Sequence, residues 1–144
     1  MKSIRSNLTN FFFALKSMRI LIVDDDAETR LAMGSLLQQE GHQSCQASTG
    51  EEALRMLETE NVELVLLDLD LGPGIDGWDV ARHKHKSDRA AKIPFIVISG
   101  SNPNEAVEPG ERNPLSDALM FMSKPVDASI LFHYINTLKT IKQA

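Results

Sequence analysis

Residues 62–77, VELVLLDLDLGPGIDG, decide the fold. Val62 and Leu64–Leu67 make a near-continuous apolar run. It is too short for a globular helix and branched enough for a strand buried on both faces. The run stops at Asp68, a Gly- and Pro-rich turn follows, and Asp76-Gly77 opens the next helix. That puts a carboxylate at the carboxyl end of a buried central strand, the edge where open parallel α/β sheets bind ligands. A buried strand does not hold an ionised carboxylate without compensation, so Asp68 is expected at the mouth. Alone, Asp68 reads equally well as a turn aspartate capping the next segment. A second acidic strand end tilts the balance: Ile20–Val23 runs into Asp24-Asp25-Asp26. Parallel strands that both stop at carboxylates bring those carboxylates together.

Outward from this stretch, the chain reads as strand and helix in alternation. Arg19–Asp24 is the first strand. Ala27–Glu40 is a helix with Asp26 as its N-cap, Leu31, Leu36 and Leu37 inward, and Gly41 at its end. His42–Ala47 is a short polar strand suited to an edge. Ser48 and Thr49 each precede a Glu by three residues, which opens a helix to about Glu58 with Ala53, Leu54 and Leu57 on its apolar face. After the central strand, Gly77–Lys86 is a helix that buries Trp78, Val80 and Ala81. Its basic end, Arg82-His83-Lys84-His85-Lys86, reads as a solvated face whose cations suit a helix carboxyl terminus, with a partner-docking surface as the alternative.

Pro94–Ser99 is a fourth strand, and Ala118–Met122 a fifth, followed by Ser123-Lys124-Pro125. Between them Pro103, Pro109 and Pro114 exclude a long regular helix, since an interior proline costs about 3 kcal/mol. Pro103 suits the start of a turn or two, ended by Pro109-Gly110. Asp127 caps a last helix with Ile130, Leu131, Tyr134, Ile135, Leu138 and Ile141 inward. The order predicts an α/β fold: a doubly wound five-stranded parallel sheet with helices on both faces and the helix after the fourth strand shortened or irregular.

At 144 residues the chain is one domain with a single well-formed core. A net charge of −5 argues against general nucleic-acid binding. Cys45 is the only cysteine, which leaves no intrachain disulfide or thiolate zinc cluster and fits a reducing cytoplasm. No apolar run reaches membrane-spanning length, so no membrane insertion is expected. Residues 1–17 carry basic residues and the Phe11–Phe13 cluster, with neither the apolar length nor the small-residue cleavage site of a signal peptide. They read as an extension ahead of a domain spanning 18–144, and Phe11–Phe13 as a dimer contact; Met18 is an alternative start.

The strand ends carry the chemistry. Asp24, Asp25, Asp68, Ser99 and Lys124 converge on one edge. Carboxylates about 4 Å apart repel by about 1 kcal/mol per pair in water and several-fold more near a protein surface. A divalent cation relieves this, and few carboxylates with room for water suit Mg²⁺. Lys124 offers a point charge and Ser99 a hydroxyl, which are what a transferring phosphoryl group needs. Asp68 is the candidate nucleophile for an acyl phosphate.

Taken together, RILIVDD, VLLDLDLGPGIDG, IVIS and FMSKP, in this order and spacing, resemble the receiver domain of bacterial two-component response regulators, over about residues 18–142. The resemblance implies a flavodoxin-like (receiver) fold with Asp68 phosphorylated. It implies Mg²⁺ held by Asp24, Asp25, Asp68 and the backbone carbonyl of Asp70. It also implies Ser99 and Lys124 on the phosphoryl group and Phe121 as an aromatic switch, whose other reading is plain core packing. Because the resemblance runs nearly to the end of the sequence, a single-domain regulator that is not an enzyme is expected, in the cytoplasm that Cys45 already suggests. The donor would be a sensor histidine kinase or histidine phosphotransfer protein, and a downstream protein partner would read the signal.

Four features depart from the pattern: a turn one residue longer after Asp68, the extra Asp70 carboxylate, Phe121 without the hydroxyl of the Tyr often found there, and the proline-broken segment 101–117. A phosphorelay intermediate and a binding-only receiver are the alternatives within the family. The DLDLG of Asp68–Gly72 also resembles the nucleophile motif of haloacid-dehalogenase-type phosphatases, but on the third strand instead of the first.

Overall fold

The computed structural model describes residues 17–100 and 109–143. Five strands, β1 (Arg19–Val23), β2 (Gln43–Ala47), β3 (Leu64–Asp68), β4 (Phe95–Ser99) and β5 (Met120–Ser123), form one sheet in the order β2-β1-β3-β4-β5. Every pairing is parallel. Among the described residues four helices accompany them: α1 (Ala27–Gln39), α2 (Gly50–Thr59), α3 (Gly77–Lys86) and α4 (Ala128–Gln143). A short 3₁₀ turn, Ala90–Lys92, precedes β4. The polar β2 does lie at an edge.

Strand alternation divides the interior in two. Leu21, Val23, Val65, Leu67, Phe95 and Val97 face α2 and α3, packing on Ala53, Leu57, Trp78 and Val80. Ile20, Ile22, Leu64, Leu66, Ile96 and Ile98 face α1 and α4, packing on Met33, Leu37, Leu131 and Ile135. Covering both faces explains why β3 and β4 are apolar without a break. Chain reversals follow their caps. Asp26 accepts from Glu28 N–H, Thr49 from Glu52 N–H, and Asp127 from Ser129 and Ile130 N–H. Gly41 ends the first turn beyond α1 at φ 84°, the left-handed region that glycine enters without strain.

Leu31 and Ile130 differ from expectation: both point outward, 63% and 51% exposed. The stripe α1 buries runs through Met33, Gly34 and Leu37, and Leu31 stands about 200° around the helix from Met33. Ile130 lies about 100° off the Leu131–Ile135 stripe. β5 also begins later than the Ala118 start, at Met120. Residues 109–119 contain turns but no helix. The extension expected over residues 1–16 and the turn expected to start at Pro103 lie outside the described residues.

The basic end of α3 is not uniformly solvated. Lys84 is 2% exposed, its ammonium 5.0 Å from the centre of the Phe95 ring. Arg82 pairs with Asp79 and, through Nε at 2.7 Å, with Glu111. His85 Nε2 lies 2.8 Å from the Pro114 carbonyl oxygen. Together with buried Leu115, these contacts hold the segment before β5 against α3.

Candidate functional site

Register builds the site. Val23 pairs with Leu67, so the next residues, Asp24 and Asp68, stand side by side at the carboxyl edge. Both follow the even positions of their strands and lie on the face of the α1/α4 core; Lys124, two residues beyond Met122, joins them. Its Nζ donates to Asp24 Oδ2 and to Asp68 Oδ2, both at 2.9 Å. The other oxygens are held by backbone: Asp26 N–H donates to Asp24 Oδ1 at 2.9 Å, and Asp70 N–H to Asp68 Oδ1 at 3.0 Å. Asp24 and Asp68 are 4% and 3% exposed, whereas neighbouring Asp25 is open to solvent. The Asp26 carboxylate, by contrast, is committed to the α1 cap, where it also accepts from Thr29 Oγ1 at 2.6 Å.

Burial is the main influence on Asp68 and pushes its carboxyl above the usual range, against the opposing pull of Lys124 and the Asp70 N–H. Burial also opposes the Lys124 ammonium, but its bonds to Asp68 and Asp24 outweigh this and raise its pKa. Asp68 is therefore compensated, but incompletely.

One carboxylate oxygen each from Asp24, Asp25 and Asp68 lie within 4.8 Å of one another. Hard oxygen donors, one exposed member and an open approach fit Mg²⁺ better than a closed calcium cage. Ser99, 5% exposed, stands one strand away, paired with Ser123. Its Oγ donates to Asp70 Oδ2 at 3.3 Å. Phe121 is 49% exposed, so its ring is not a core side chain here. Sequence reasoning missed two supports: Arg30, whose Nη1 donates to the Asp24 carbonyl at 2.7 Å, and Gly77. A Cβ on Gly77 would lie 2.2 Å from the Asp68 carbonyl oxygen. The glycine after the helix-opening Asp76 was the available signal for the second.

This sheet, with its aspartates and lysine gathered at the carboxyl edge, defines a receiver-type α/β domain. Residues 20–136 match the response regulator receiver domain, and the chain belongs to that family. Such domains serve signalling, and they bind Mg²⁺ in an acidic pocket. The chain is 32% identical over 118 residues to the CAI-1 autoinducer sensor kinase/phosphatase CqsS of Vibrio cholerae, covering 81% of this chain but 17% of that protein. It is 29% identical over 120 residues to Protein PilH of Pseudomonas aeruginosa, covering 83% of this chain and 96% of PilH. Among solved structures it is similar to TrrA of Thermotoga maritima in complex with Mg²⁺–BeF, with TM-score 0.71 and 28% identity over 84% of this chain and 97% of that one. Among the described residues no helix is long and apolar enough to cross a membrane.

Proposed function

We propose that this receiver accepts a phosphoryl group on Asp68 from a histidine kinase or histidine phosphotransfer protein and signals by binding a protein partner. The observation that carries the reading is Lys124 Nζ bridging Asp24 and Asp68 at 2.9 Å beside exposed Asp25. In this reading an Asp68 carboxylate oxygen forms the new bond to phosphorus. The bond from phosphorus to the donor imidazole nitrogen breaks, and that nitrogen keeps the electron pair. Asp24 and Asp25, with the Asp70 carbonyl, would hold Mg²⁺, which supplies charge neutralisation for the equatorial oxygens. Lys124 follows the new phosphoryl oxygen, Ser99 donates its hydroxyl to another, and Phe121 turns inward.

The relation to PilH supports a receiver that works as a unit over 18–144, because that relative is matched along 96% of its length. TrrA, solved with Mg²⁺–BeF, supports the metal and the acyl-phosphate-like state. The test is intact-protein mass after incubation with acetyl phosphate, with and without Mg²⁺. One phosphoryl group is expected on the native chain with Mg²⁺, and none on Asp68→Asn or without the metal. An adduct that survives Asp68→Asn would remove Asp68 from the role.

A further inference from the structure

We propose that Asp70 is a positioning residue that restrains the Ser99 hydroxyl and thereby sets how readily the phosphorylated state forms; this rests on the phosphoacceptor reading above. Ser99 Oγ donates its one hydrogen to Asp70 Oδ2 at 3.3 Å. A hydroxyl engaged this way has no hydrogen left for a phosphoryl oxygen on Asp68, so the Asp70 contact must break first. Asp70 is fixed where it can do this. Its N–H donates to Asp68 Oδ1 at 3.0 Å, which ties it to the phosphoacceptor, and β3 and β4 are paired through Asp68 and Ile98, one residue before Ser99. The side chain is exposed while Ser99 is buried, so the acceptor approaches from the solvent side. One residue thus touches the phosphoacceptor through its backbone and the switch hydroxyl through its carboxylate.

The contact is charge-assisted but long. Hydrogen bonds to charged groups are worth about 1.5–3 kcal/mol, and a 3.3 Å bond belongs at the low end, about tenfold in an equilibrium. Charge gives a competing explanation: the Asp70 carboxylate also repels any anion on Asp68, with or without Ser99. A double-mutant cycle separates the two.

The experiment is calorimetric titration of the Mg²⁺-loaded protein with beryllofluoride, for the native chain, Asp70→Asn, Asp70→Ala, Ser99→Ala and Asp70→Ala/Ser99→Ala. Asn keeps a weaker, neutral acceptor and Ala keeps none. Affinity is expected to rise from the native chain through Asp70→Asn to Asp70→Ala, about tenfold in all. In the Ser99→Ala background, Asp70→Ala is expected to gain well under tenfold, only what relief of charge repulsion supplies. A tenfold gain that persists without Ser99 would overturn the restraint and leave plain charge repulsion. Unchanged or weaker binding by Asp70→Ala would overturn it outright. Failure of the native chain to bind beryllofluoride with Mg²⁺, or to form the Asp68 adduct, would instead sink the phosphoacceptor reading.

Discussion

The Lys84 ammonium lies over the Phe95 ring in a side chain that is almost wholly buried. Burial lowers its pKa from 10.5 to about 8, and Asp117 opposes the change only in part. A folded pKa below the unfolded one means stability is fully present above pH 10.5 and falls as pH drops through about 8. Forcing the charge in at pH 7 costs about 3 kcal/mol, and the ring face returns about 1 kcal/mol. Lys84→Met keeps the stem and removes the charge. It should stabilise the fold by about 2 kcal/mol at pH 7 in urea unfolding, with the gain shrinking by pH 10. A loss of stability at pH 7 would mean that the ammonium holds the segment before β5 in place. Asp68 has the opposite sign. Its pKa is raised, chiefly by burial, so its contribution is present below the unfolded value of 3.8 and is lost as pH rises. Asp68→Asn should therefore raise Tm by a few degrees in metal-free neutral buffer. A lower Tm would show that the Lys124 bridge outweighs the burial of charge.

At the scale of elements, α3 is anchored on the site itself. Asp76 and Asp79 form a reciprocal cap: Asp79 N–H donates to Asp76 Oδ1 at 2.9 Å, and Asp76 N–H to Asp79 Oδ2 at 3.2 Å. Gly77 N–H donates to the Leu69 carbonyl at 3.1 Å, which presses the helix start onto the end of β3. Gly77→Ala would drive a Cβ into the Asp68 carbonyl oxygen and the Leu69 backbone, neither of which can swing aside. It should destabilise by about 2–3 kcal/mol and displace the Asp68 loop. Gly100→Ala meets none of the described residues within 4 Å and should stay within about 0.5 kcal/mol, as chemical unfolding of both would show. The limits of α3 were legible because a capping aspartate, a glycine and a buried Trp lie within three residues. Its contacts with the segment before β5 were not. Arg82 meets Glu111, and His85 meets Pro114, each across 29 residues, and no local pattern encodes that meeting. The same limit explains Leu31 and Ile130: apolar residues crowd both helices, and only the sheet's position selects the buried stripe. The aspartates and Lys124 were legible because each terminates an apolar strand, whereas the Asp70–Ser99 contact depends on side-chain rotation.

Across the whole molecule, the two ends of the sheet's strands are built differently. At the carboxyl edge, charges sit close together and incompletely compensated. At the amino edge, the start of β1 is fastened from both sides. Met18 N–H donates to His42 Nδ1 at 3.1 Å, and Lys139 Nζ of α4 donates to the Ser17 carbonyl. Accepting at Nδ1 requires the neutral ring with its hydrogen on Nε2, a buried atom without a hydrogen-bond partner among the described residues. Burial lowers the His42 pKa below the usual 6.5, and Lys139 lowers it further, while Glu40 and Glu63 oppose it. The lowered value means stability is present above pH 6.5 and is lost as pH falls through the folded pKa, where a second ring hydrogen meets the Met18 N–H. Urea unfolding at about pH 7.5 and about pH 5.5 should show the native chain losing stability, with the broken bond alone worth about 1 kcal/mol. His42→Asn retains an acceptor near the Nδ1 position and cannot titrate, so its loss over the same interval should be smaller. Equal losses in the two chains would place the acid sensitivity on other groups and reduce His42 to packing.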